Sequence, residues 1–109
     1  MADFHIKVGD TLPAIQGTLY QGDGTVISLV SASAVRFHMR KRGTSDLLVD
    51  GACEIVNASG GVVRYTWEEG DFSESGQYEA EFEVTFTSGD VATVPNNKHL
   101  SIVITAELG

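Results

Sequence analysis

Catalysis needs side chains that can move a proton, attack an electrophile or hold a metal near neutral pH, and this sequence offers few. The imidazoles are His5, His38 and His99, and the one thiol is Cys53. Each histidine lies in a segment of strand-like character beside apolar neighbours. There it reads as a surface or structural histidine rather than a general base or a metal ligand. Cys53 shares a face with Ile55, and a thiol in apolar surroundings is inert, because the reactive thiolate needs nearby positive charge. Glu68, Glu69 and Asp71 form an acidic loop. Calcium takes about six to eight oxygens, and these three lack the spacing of an EF-hand, so the loop reads as solvated. No GxSxG elbow, HExxH pair or GxxxxGK[ST] phosphate loop occurs. The expectation is a non-enzymatic protein with no catalytic residue, no cofactor and no metal ligand.

The whole chain sharpens that reading. Seven Lys and Arg against fifteen Asp and Glu give 109 residues a formal charge of −8. Phosphate backbones are bound by clustered cations, so nucleic acid is excluded as a partner. A single cysteine excludes an internal disulfide and a Cys/His zinc site. The first residues, Met1-Ala2-Asp3-Phe4-His5-Ile6-Lys7, have no basic start followed by an apolar core, so they do not read as a signal peptide. No apolar run reaches the roughly 20 residues of a spanning helix, so no membrane partner is expected. With 42% hydrophobic residues the chain is too apolar for disorder, and its length suits one domain over residues 1–109.

The positioning elements are strands. From Gln77 to Thr87, Tyr78, Ala80, Phe82, Val84 and Phe86 alternate with Glu79, Glu81, Glu83 and Thr85. Period two over that length is a half-buried strand with one wet face. Val35, Phe37 and Met39 alternate with Arg36, His38 and Arg40, and Val63, Tyr65 and Trp67 with Arg64 and Thr66. Leu100, Ile102, Ile104 and Ala106 alternate with Ser101, Val103, Thr105 and Glu107. Shorter candidates are Phe4–Val8, Ala14–Tyr20, Val26–Leu29, Cys53–Asn57 and Val91–Val94. In Ser31–Arg42, Ser31 could cap a helix, but strand is preferred. Gly22-Asp23-Gly24 and Ser88-Gly89-Asp90 are hairpin turns, and Asp23, Asp50 and Asp90 read as turn formers beside glycines. Tyr65 and Trp67 look inward as core residues.

Short strands with turns at this spacing indicate an all-β fold, an antiparallel immunoglobulin-like β-sandwich of about 7–9 strands. Glu74-Ser75-Gly76-Gln77-Tyr78 has the form of a tyrosine corner, with the Tyr78 hydroxyl bonding back into the Asp71 loop. Ala80 stands where an antibody domain would carry its second cysteine. In that arrangement the Val35–Met39 strand neighbours Tyr78–Phe86, setting Arg36, His38 and Arg40 against Glu79, Glu81 and Glu83. Such cross-strand pairs contribute about 0.2–1 kcal/mol each, and a solvated face is the plainer reading of the row than a binding patch.

A series of motifs runs in order along nearly the whole chain. It opens with Gly9-Asp10-Thr11-Leu12-Pro13 and Gly17-Thr18-Leu19-Tyr20-Gln21-Gly22-Asp23-Gly24-Thr25-Val26-Ile27-Ser28-Leu29. It continues in Val35-Arg36-Phe37-His38-Met39-Arg40, Gly61-Val62-Val63-Arg64-Tyr65-Thr66-Trp67, Gly70-Asp71 and Gly76 to Thr85. Thr93-Val94-Pro95 and Leu100–Thr105 complete it. In this order the motifs resemble the N-terminal domain of phage baseplate upper proteins. The resemblance implies a virion structural protein, assembled in the host cytoplasm, that joins other virion proteins in a tail or baseplate. Self-association stays open. A capsid decoration or head–tail junction protein is the runner-up, and a carbohydrate-binding module for host-surface sugars a third reading. The surfaces expected to make contacts are the row Arg36, His38, Arg40, Glu79, Glu81 and Glu83, and the loop tip Pro95, Asn96 and Asn97. Phe4 and Ile6 read as a first core strand rather than a docking arm.

Overall fold

Alternation in the sequence becomes two packed sheets. The computed structural model describes residues 4–95 and 100–106, and among them there are nine strands and no helix. The strands are β1 (Phe4–Lys7), β2 (Ile15–Thr18), β3 (Ala32–Lys41), β4 (Val49–Ala52), β5 (Glu54–Asn57), β6 (Val62–Tyr65), β7 (Gly76–Phe86), β8 (Val91–Val94) and β9 (Leu100–Thr105). The larger sheet runs β1-β9-β7-β3-β4, with β8 also paired to β7, and the smaller runs β2-β6-β5. The segment from Ser31 to Arg42 is strand, as expected.

The long strands β3 and β7 form the centre, antiparallel, with Val35 opposite Val84, Phe37 opposite Phe82 and Met39 opposite Ala80. All six of these side chains are buried. The smaller sheet closes over them through aromatic contacts. Phe37 stacks on Tyr65 of β6 with ring centroids 4.7 Å apart, and Trp67 meets Phe37, Tyr65 and Phe72 edge-on at 5.3 to 5.4 Å. Such pairs add about 0.5–1.5 kcal/mol beyond the area they bury. Among the described residues no hydrogen-bond acceptor meets the buried Trp67 Nε1, and the ring is held through its faces and edges.

Four features differ from the expectation. Residues Val26–Leu29 make no strand. Tyr20 and Val26 form one bridge, and the Ile27 and Leu29 N–H groups then bond to two separate carbonyls, Leu19 and Ala58, so no ladder builds. β4 went unforeseen because Val-Asp-Gly-Ala has poor strand propensity. Gly51 is nevertheless needed there, since a Cβ would collide with the Tyr65 ring. Asp50 is therefore a strand residue rather than a turn former. Finally, β1 runs parallel to β9. The chain leaves β1 for the opposite sheet, so no hairpin constrains its direction.

Gly51→Ala is expected to destabilise the fold by about 1–3 kcal/mol through overpacking against Tyr65. Gly17→Ala, on β2 with nothing near the added methyl, should change stability by less than about 0.5 kcal/mol. Urea midpoints that fall equally for both variants would show that Gly51 is not under the ring.

Candidate functional site

The register of β3 and β7 sets Arg36 opposite Glu83, His38 opposite Glu81 and Arg40 opposite Glu79, all on the face away from the smaller sheet. The side chains pair differently. Arg40 Nε lies 3.3 Å from Glu79 Oε1. Arg36 turns instead to β4, its Nε 3.0 Å from Asp50 Oδ1 and its Nη2 donating to the Asp50 carbonyl at 2.7 Å. His38 Nε2 lies 3.1 Å from the same carboxylate. The Arg36 hydrogen bond holds the Asp50 carboxyl below its usual range. Asp50, missed as a site residue because it looked like part of a turn, thus fastens β4 to β3. Glu81 and Glu83 are half-buried mid-sheet, and among the described residues neither makes an ion pair.

The strand β7 is aimed by its entry. Tyr78 is buried, and its hydroxyl donates to the Glu74 carbonyl at 2.7 Å, closing the tyrosine corner four residues upstream. Asp71 has a separate partner, since Tyr65 donates its hydroxyl to Asp71 Oδ2 at 2.6 Å. The Glu68 N–H donates to the same oxygen at 2.8 Å. Burial and the Asp71 carboxylate push the Tyr65 hydroxyl pKa up, so it stays a donor. The acidic loop is a structural clasp. No group of three His, Cys, Asp or Glu side chains converges as a metal would require among the described residues.

The remaining candidates do not come together. His5 is exposed on β1, and His99 lies outside the described residues. Cys53 sits where the chain passes from β4 to β5, packed against the core, and burial pushes its thiol up to about 12. It is protonated at neutral pH. Pro95 follows β8 and is half-buried, while Asn96 and Asn97 lie outside the described residues.

Sequence reasoning also missed an open side of the sandwich. Between β8 and the hairpin at Tyr20 lies a recess of about 480 Å³ floored by Ile27 and Phe86. A second recess of about 400 Å³, against β2 and Phe82, shares Tyr20 and Val94 with it. Tyr20, which is exposed and lines both recesses, was the available signal, but an isolated apolar surface residue is too common to single out.

Comparison with known proteins adds three findings. The family model described as the BppU N-terminal domain matches residues 3–106. The crystal structure of CopC from Methylosinus trichosporium OB3b is similar with a TM-score of 0.59 at 12% identity, covering 100% of this chain and 89% of that one. At that identity the likeness concerns the fold alone. No curated protein matches the chain.

The Asp50 pairing has a pH signature. A carboxyl whose folded pKa is depressed adds stability that is present above its unfolded pKa and lost as pH falls through the folded one. An NMR titration should place the Asp50 midpoint below the usual carboxylate value, and Arg36→Gln should return it upward. A midpoint that ignores Arg36→Gln would remove the pairing.

Proposed function

The chain belongs to the BppU N-terminal domain family, and from that membership we propose that it is a non-enzymatic structural component of a phage tail or baseplate. On this reading it works as one domain that joins other virion proteins. The observation that carries this is the family match over residues 3–106. The distribution of chemistry supports it. Titratable groups are spent on fastening strands and loops to each other, as Asp50, Asp71 and Glu79 are. The outer face of the larger sheet is broad and polar, and its Glu81 and Glu83 carboxylates, without an ion pair among the described residues, can fix the register of a neighbour rather than supply bulk affinity. The row Arg36, His38, Arg40, Glu79, Glu81 and Glu83 is the proposed contact face, and Pro95, which lines the recess against β2, is a separate candidate contact. Subunits in a virion meet at high local concentration, so modest interfaces suffice.

A carbohydrate-binding role draws less support. Sugar-stacking sites need aromatic rings on the surface; Tyr65 and Trp67 are 4% and 2% exposed, which leaves Tyr20 as a single exposed ring beside the recesses. A capsid decoration role uses the same kind of face and is separated by location.

Virions of the encoding phage, purified and split into heads and tails on a density gradient, provide the test. Mass spectrometry is expected to find the chain with the tails. Recovery with the heads would support decoration instead, and absence from both would end the structural reading.

A further inference from the structure

One edge of the larger sheet is open in a way that specifies a partner. β9 and β8 lie end to end along the same side of β7, β9 covering Gly76–Ala80 and β8 covering Phe82–Thr85. β1 adds a further row beside β9, but among the described residues no strand occupies that row beside β8. The outer backbone groups of Val91–Val94 therefore have no ladder partner there, which is the arrangement a foreign strand can extend. The edge is short and Pro95 ends it, but nothing within it blocks pairing. Val91 is 57% exposed, and no lysine or proline interrupts the four residues.

Both faces of an added strand have their chemistry set. Inward-pointing side chains would enter the recess between β8 and Tyr20, whose lining has no charged residue. Outward-pointing ones would stand beside Val91 and Thr93. Thr93 is opposite Glu83, which like Glu81 makes no ion pair among the described residues. The added strand would lie about 10 Å from β7, two inter-strand spacings, within the joint reach of a lysine and a glutamate across the short threonine. Asp90, in the turn entering β8, and the net charge of −8 favour the same sign. A second copy of this chain brings the opposite complementarity.

We propose that the free edge of β8 captures an extended segment of another virion protein whose side chains alternate apolar and basic, by strand addition. This rests on the assembly role proposed above and names its surface and partner chemistry.

The probe is an N-acetylated eight-residue peptide alternating lysine and valine, titrated against the full chain at low salt. Peptides alternating glutamate and valine, or lysine and serine, are the controls. The lysine–valine peptide is expected to bind at least tenfold tighter than either control and to slow amide exchange at Val91–Val94. The surface variant Val91→Lys/Thr93→Lys, checked for folding by circular dichroism, should lose that tenfold. Glu83→Gln should weaken binding several-fold and reduce its salt dependence. Equal binding by the lysine–serine peptide would show that no apolar side chain is taken up by the recess, and equal binding by the glutamate–valine peptide would show that charge plays no part. Either result overturns the proposal. So would unchanged affinity in the double variant, or a dimer of the chain that the double variant dissolves. If the chain is found in tails but the peptide fails, this edge alone is discarded; absence from virions discards the assembly role as well.

Discussion

The stacking of Phe37 on Tyr65 joins the two sheets, and most of the molecule is arranged around it. Phe37 lies at the middle of β3, fully buried, and touches Tyr65, Trp67 and Phe82. Tyr65 then spends its hydroxyl on Asp71, which fixes the loop leading towards β7. The room for the ring comes from Gly51 on the neighbouring strand. One contact thus couples the position of β4, the course of the loop after β6 and the spacing of the sheets. With no internal disulfide available to a chain with one cysteine, packing of this kind has to hold the sandwich together.

A core closed by aromatics leaves the outer face of the larger sheet free of structural duty, apart from holding its own strands in register. Asp50 draws Arg36 and His38 towards β4, which leaves Glu81 and Glu83 as an acidic strip along the middle of the sheet. The strip and the open edge at β8 adjoin through the pairing of Glu83 with Thr93. A surface that offers carboxylates beside unpaired backbone is suited to holding a neighbour, whereas a reaction needs groups gathered in a recess. The two recesses beside Tyr20 are lined without an ionisable acid, histidine or cysteine, whereas a smaller one of about 220 Å³ beside Leu47 holds Lys41, Asp46 and Glu74.

Much of this was legible in the residues themselves. Strict alternation in Gln77–Thr87 gave β7, and the sandwich arrangement gave the Val35–Met39 strand as its neighbour, though not the register between them. The Gly-x-Tyr entry gave the corner at Tyr78. What stayed hidden depends on contacts between distant residues. Gly51 looks like a turn signal until the Tyr65 ring is placed above it. Asp50 looks like part of that turn, and only the strand pairing shows it competing with Glu83 for Arg36. Val26–Leu29 alternates correctly, yet its hydrogen bonds divide between two segments. The open edge at β8 follows from where β9 ends along β7, which no local pattern encodes.

The central claim is that this chain acts through its surfaces as a joining element of a phage tail or baseplate. Electron cryo-microscopy of intact tails tests it most directly. Density for the sandwich is expected in the tail or baseplate, with a neighbouring subunit seated on the outer face of the larger sheet or along β8. Sandwich density confined to the capsid, or contacts made only through the smaller sheet, would contradict it.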